Sequence, residues 1–244
     1  MKQNKPYDIF AGFYDEMLEG VNYDLWYDYI VSVMNRYVQK SKCVLELGCG
    51  TGIFGKKFSG KGCRYYGMDL SLAMLGKAKA KTGKNFHVFC GNITDFALRK
   101  NMDFIFSVHD TMNYMFTKYD FIKALRCVRS ALADNGVFMF DLATPYNIET
   151  RFMNKKLTYK GEDICIEWTN VYTKSKGYFV STLRFLYPDG TYDEEIHRQR
   201  LYSVDEVKAM IEKVGLKLIR IDGDYGIVPY DGETRMRNFI TMRT

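Results

Sequence analysis

Residues 43–52, CVLELGCGTG, constrain this chain more than any other stretch. A short apolar run bounded by turn residues reads as a buried strand. Here it runs directly into a turn with glycine at 48, 50 and 52. Glycine in a turn that opens a helix lets backbone N–H groups and the helix N-terminus approach a ligand that a side chain would hold off. Four more short apolar runs follow, RYYGM, HVFC, DFIFSV and VFMFDL. Helical stretches are predicted between them near 52–58, 71–81 and 119–133, with Ser71 as an N-cap and Asp134-Asn135-Gly136 as a stop. That alternation is the mark of βαβ units and a parallel sheet. A helix at about 204–214, between Ser203 and Gly215, and the runs LKLIRI and RNFITMR add two closing strands. The fold class is therefore α/β, a seven-stranded, mostly parallel sheet with helices on both faces.

The flanks obey other periods. Tyr7, Phe10, Tyr14 and Met17, then Trp26, Ile30, Val33 and Tyr37, stand at helical spacing, which predicts two helices divided near Gly20. DICIEWTNVY, YFVSTLRFLY and TYDEEIHRQRL alternate in twos, and Pro188-Asp189-Gly190 turns between the last two. An antiparallel insertion after the fifth strand is expected. The expected organisation is one domain over 1–244: a helical cover at 1–40, a ligand-binding core at 41–145, an antiparallel lid at 146–201, and a C-terminal helix with closing strands at 202–244. The length and 47% hydrophobic content suffice for one core with an insertion.

Six cysteines without a CxxC pair point to reduced thiols and a cytoplasmic setting. No apolar run reaches the ~18 residues of a membrane span, so no membrane partner is expected. The net charge of +6 is spread along the chain, and the lysines from Lys77 to Lys84 read as a solvated helix face.

The glycine loop is ambiguous by itself. Gly50, Gly52 and Gly55 also satisfy GxGxxG, and Asp69 follows at about the 20 residues that a dinucleotide fingerprint requires. Glu46 weighs against a nicotinamide or flavin, because a carboxylate at the loop mouth repels a pyrophosphate. It suits a ligand carrying positive charge. Asp69, at the carboxyl end of the second strand, is placed to accept from ribose hydroxyls.

With ELGCGTG and MDLSLAML at this separation, the chain resembles the class I S-adenosylmethionine-dependent methyltransferases, of Rossmann-like fold, over nearly its whole length. The resemblance implies S-adenosylmethionine as cofactor and S-adenosylhomocysteine as product. It implies that Glu46 reaches the methionine end, that Gly48, Cys49, Gly50 and Gly52 line the cofactor, that Asp69 holds the ribose, and that Leu70 beside it also contacts the cofactor. Asn92 and Ile93 then lie in the adenine segment. The family often has Asp where Asn92 stands, but an amide carbonyl still accepts from the adenine amino group. AGFYDEML and NYDLWYDYI look like the cover of small-molecule members, placing Tyr14 and Trp26 near the methyl and methionine end. His109 and Asp110, in DFIFSVHDTMNYM, fall beside the transferred methyl and are the candidate catalytic residues together with Tyr14.

The expected reaction is in-line methyl transfer to a nitrogen or oxygen of a small molecule. Asp193, Glu194, Glu195, His197 and Arg200 lie in the lid, where an inward carboxylate would suit an amine. Three histidines without ligand spacing give no metal site. The Asn/Asp-Pro-Pro-aromatic loop of nucleic-acid amino-methylating enzymes and a Pro-Cys or Thr-Cys nucleophile loop are both absent, which argues against nucleic acid as partner. The competing readings are a nucleic-acid methyltransferase, a non-catalytic S-adenosylmethionine-binding protein and an NAD-binding oxidoreductase. A monomer or homodimer is expected.

Overall fold

The alternation of apolar runs and helical stretches folds as a layered sheet in the computed structural model, which describes residues 3–38, 42–83, 85–99, 101–153, 155–231 and 233–244. Lys84, the last of the basic run, lies outside the described residues. In chain order the strands are β1 (Gln3–Asn4), β2 (Cys43–Leu47), β3 (Arg64–Asp69), β4 (Phe86–Cys90), β5 (Met102–Ser107), β6 (Leu132–Ala143), β7 (Leu157–Lys160), β8 (Cys165–Thr173), β9 (Tyr178–Leu186), β10 (Tyr192–Arg200), β11 (Leu216–Gly223) and β12 (Met236–Arg243). The α-helices are α1 (Tyr14–Met17), α2 (Tyr23–Tyr37), α3 (Ile53–Phe58), α4 (Leu72–Lys79), α5 (Lys118–Ala131), α6 (Pro145–Arg151) and α7 (Val204–Lys213). None of the described helices is long and apolar enough to cross a membrane.

The expected seven-stranded sheet is present in the order β11-β12-β6-β5-β2-β3-β4. Strands β2 to β6 are parallel, and β12 and β11 close the edge in antiparallel fashion. All five residues of β2 are buried, as a strand covered on both faces requires. Helices α5 and α7 lay Phe121, Leu125, Val207 and Met210 over Ile105 and Phe138 on one face. On the other, α2 and α3 lay Ile30, Val33, Phe54 and Phe58 over Phe104 and Phe106. Burying each such side chain contributes about 1.5–3 kcal/mol. Strand β2 has β3 on one side and β5 on the other, so the crevice at their carboxyl ends is the switch point where ligands bind in open α/β sheets.

Gly55 faces the Phe86 ring so closely that a Cβ would meet it at 2.3 Å. The third glycine of GxGxxG therefore serves helix–sheet packing, a need shared by dinucleotide folds, which is why the spacing could not discriminate. Ser71 caps α4 by accepting from the Met74 N–H, and Ser203 with Glu206 forms a capping box on α7.

The second sheet runs β1-β10-β9-β8-β7. Its three inner strands are the three alternating runs; the edges β7 and β1 were not foreseen, and β1 pairs parallel to β10 (Gln3↔Glu194). The first of the two predicted N-terminal helices is shortened to a 3-10 turn at Phe10–Gly12 and the single turn of α1. The Glu195 carboxylate captures the N–H groups of Tyr7, Ile9 and Phe10, and Tyr7 has φ 67°, so the backbone is committed to the lid before a helix can start. Helix α5 ends at Ala131, ahead of the predicted 133, because Asp134-Asn135-Gly136 makes a bulge within β6 (Asn135 φ 60°) between the pairs Met102↔Leu132 and Phe104↔Val137.

Candidate active site

Glu46 is the one charged residue of β2 and is 2% exposed. It accepts a hydrogen bond from the Tyr65 hydroxyl, and among the described residues no lysine or arginine pairs with it. Burial, with the charge of Asp69 adding, holds its carboxyl well above the usual range. A buried carboxylate without a cation is costly to ionise, so a ligand ammonium within reach supplies what the protein withholds. Gly48, Gly50 and Gly52 all have positive φ (74°, 52° and 78°), a conformation that residues with a Cβ rarely adopt. A Cβ on Gly48 would strike Thr111 at 2.4 Å, whereas one on Gly50 would stand in open space on the ligand side. Asp69, at the end of β3, accepts from the N–H groups of Gly50 and Ser71, both at 2.8 Å. The donor set fits an amino acid end at Glu46 and a ribose at Asp69.

Tyr14, Tyr23, Glu46, Gly50, Phe54 and His109 are among the residues that line a cleft beside the glycine turn, whose volume is about 30 Å³. That is the room of one water molecule. The cover is fastened at Asp15, whose carboxylate accepts from the Thr51 hydroxyl and pairs with Lys81 at 2.8 Å.

After β5 the backbone turns through two successive left-handed residues, His109 (φ 61°) and Asp110 (φ 53°), a strain of roughly 1–3 kcal/mol each. Asp141, fully buried at the carboxyl end of β6, accepts from both of their N–H groups at 2.8 Å and from the Tyr225 hydroxyl. The His109 ring bonds through Nδ1 to the Tyr14 hydroxyl at 2.9 Å. Burial lowers its pKa to about 4, so the imidazole is neutral. Asp110 accepts from Gln199 Nε2 at 2.7 Å. Burial pushes its pKa up to about 7, opposed by the Gln199 bond and reinforced by Asp141.

Alternation along β10 turns Glu195, His197 and Gln199 to one inward face, 0, 5 and 6% exposed. His197 bonds Glu195 at 3.2 Å and the Tyr114 hydroxyl at 2.8 Å, and Tyr114 bonds the Tyr7 hydroxyl at 2.7 Å. Burial raises the pKa of Tyr7, Tyr14 and Tyr114, with the charge of Asp110 adding in each case. These hydroxyls are protonated and lie within reach of the Asp110 charge.

The structure brings Tyr14, Glu46, Gly48, Gly50, Asp69, His109 and Asp110 to one end of the sheet. Cys49 packs its thiol against Gly67, leaving only backbone toward the loop. Leu70 is 68% exposed beside Asp69. The Asn92 side-chain carbonyl is taken by the N–H and hydroxyl of Thr94, and Ile93 packs on the core. Trp26 stacks on Tyr225 at 4.4 Å and meets His109 edge-on at 5.2 Å, standing behind the histidine while Tyr23 lines the cleft. Of the lid acids, Glu195 points inward and is spent on backbone N–H groups; Glu194 pairs with Arg184 and Asp193 accepts from Tyr187. Asp141, Tyr225, Gln199, Tyr7 and Tyr114 were not singled out from sequence. A signal existed for two of them: Asp141 is a lone acid ending the apolar run VFMFD, and the period of two put Gln199 on the face of Glu195 and His197.

Residues 44–136 match the family described as a methyltransferase domain. YqeM of Bacillus subtilis (strain 168), provisionally named a methyltransferase, is 28% identical over 227 residues, 90% of this chain and 90% of its own. The dTDP-4-amino-2,3,4,6-tetradeoxy-D-glucose N,N-dimethyltransferase of Saccharopolyspora spinosa is 24% identical over 201 residues, 80% of this chain and 79% of its own. An S-adenosylmethionine-dependent methyltransferase from Clostridium acetobutylicum ATCC 824 superposes with a TM-score of 0.84 at 23% identity, covering 97% of this chain and 98% of that one. The structural likeness carries the fold, and the sequence matches are to methyltransferases. The chain is a class I, Rossmann-like S-adenosylmethionine-dependent methyltransferase.

Proposed function

We propose that the enzyme methylates an amine nitrogen of a small molecule. The observation that carries this reading is Asp110: a buried acid, paired with no cation among the described residues, that accepts from the neutral Gln199 amide and is near enough to Tyr7, Tyr14 and Tyr114 for its charge to raise their pKa. An ammonium is drawn to such an acid, and it must lose its proton before its lone pair can attack. A carboxyl with a pKa of about 7 takes that proton near neutral pH. Neutral His109, in the tautomer whose Nδ1–H donates to the Tyr14 hydroxyl, then accepts a hydrogen bond from the amine at Nε2 without repelling it. The named action of the Saccharopolyspora relative on an amino sugar nitrogen agrees with this class.

Bound S-adenosylmethionine supplies an electrophilic methyl on a sulfonium. In this reading Glu46 receives its ammonium, the turn at Gly48, Cys49, Gly50 and Gly52 lies along it, Asp69 receives the ribose hydroxyls, and Leu70, Asn92 and Ile93 border the adenine. Trp26 acts one layer back, bracing His109. The six free thiols support a cytoplasmic setting. The test is transfer of labelled methyl to a panel of small amines, matched phenols and RNA. Labelled amine that disappears in Asp110→Asn supports the reading, while transfer confined to phenols or RNA overturns it.

A further inference from the structure

A carboxylate offers acceptor lone pairs on two oxygens, and an amide on one. That difference matters at Asp141, where one oxygen receives the His109 N–H and the other the Asp110 N–H, each at 2.8 Å. Both donors belong to left-handed residues, and the third donor, the Tyr225 hydroxyl, comes from another, with φ 58°. The carboxylate is fully buried, and among the described residues no cation pairs with it. Asp103 shows what an ordinary strand acid does. At the amino end of the neighbouring strand β5 it accepts two successive N–H groups, of Lys42 and Cys43, through one oxygen, as an amide also can.

We propose that Asp141 is a positioning residue for methyl transfer: its two oxygens hold the His109–Asp110 backbone in the conformation that presents the imidazole and the carboxyl together to the acceptor. The inference rests on the roles given above to His109 and Asp110. Tyr225 adds the second half of the device. Its hydroxyl fixes the carboxylate plane and its ring, stacked on Trp26, backs the histidine. Substitution by asparagine leaves one of the two backbone donors facing an amide NH₂, so the turn relaxes and the two side chains part.

Histidine NMR on the full chain tests this directly, because only His87, His109 and His197 contribute signals. In Asp141→Asn the His109 imidazole resonances should move and the amides of 109 and 110 should exchange at least about 100-fold faster, with His87 unchanged. With the amine acceptor from the panel, kcat should fall at least about tenfold, while KM and S-adenosylhomocysteine affinity stay within about twofold. Asp103→Asn, the same chemical change at the opposite end of the neighbouring strand, should leave kcat alone. Should Asp141→Asn fail to fold, Tyr225→Phe should show the same shifts and a kcat loss of about threefold. Unmoved His109 signals, or normal kcat despite them, would overturn the proposal. If His109→Ala and Asp110→Asn both methylate normally, the functional reading fails instead, and the NMR arm still decides whether Asp141 sets the turn.

Discussion

The cofactor side and the acceptor side of this cleft are built by opposite means. On the cofactor side, Glu46, the three glycines and Asp69 lie within 24 residues on two adjacent strands, and their geometry follows from one strand–turn–helix unit. On the acceptor side, Tyr7, Tyr14, His109, Tyr114, Asp141, His197, Gln199 and Tyr225 come from the cover, two strand ends, the lid and the closing edge. One half is a local motif that any chain of this class can carry unchanged; the other is a set of long-range hydrogen bonds that can be rewired without touching the motif. In the proposed reading, cofactor identity is written in the loop, and acceptor identity in the packing of the flanks.

If the division holds, variants should sort by side. The largest effect is expected for Asp110→Asn, a loss of about 10²–10⁴ in kcat with S-adenosylhomocysteine binding retained by calorimetry; a matching loss of binding would erase the boundary between the two sides. Glu46→Gln should do the reverse and weaken S-adenosylhomocysteine about 10- to 100-fold, the worth of one charged hydrogen bond. Because burial holds the Glu46 carboxyl high before the ligand's ammonium arrives, binding should also release protons, read as a buffer-dependent enthalpy, and tighten as pH rises.

The wild-type pH profile sharpens the comparison. Asp110, raised to about 7, acts as base only above that value, so kcat/KM should climb as pH passes about 7 and the step should vanish in Asp110→Asn. Stability runs the other way. Asp110 and Asp141 bind protons more tightly folded than unfolded, so they favour the fold below about pH 4 and lose that contribution as pH rises through about 6 for Asp141 and 7 for Asp110; Tm against pH in wild type and Asp110→Asn checks the sign. The smallest effect is expected at Glu195→Gln, which removes one acceptor from the cover. About 1–3 kcal/mol should be lost, or about 2–4 °C in Tm per kcal/mol for a chain of this size, with cofactor affinity nearly unchanged.

How legible each side was in the sequence follows from the same contrast. The parallel sheet, the caps at Ser71 and Ser203, Glu46 and Asp69 are short-range facts, and period and turn chemistry report them. His109 and Asp110 were found by their place after the fourth strand, but their left-handed backbone was not, because Asp141 imposes it from 31 residues away. The N-terminal helix is shorter than its spacing predicts for a like reason: helical spacing from Tyr7 to Met17 is real, yet Glu195 takes the first N–H groups from across the molecule. Trp26 is legible as an aromatic of the cover, but its stacking on Tyr225, far along the chain, and its edge contact with Tyr23 are set by packing, which period does not report.

The parallel pairing of β1 with β10 joins Gln3 to Glu194. A chain emerging from the ribosome can complete the cofactor unit when about half its length is out, yet its first residues have no docking partner until the lid hairpin has been made. The entropy of closing so long a loop grows only slowly with its length, so the cost falls on time more than on stability. The cover should thus be the last part to settle during refolding, and a nascent chain should bind cofactor before it can enclose it.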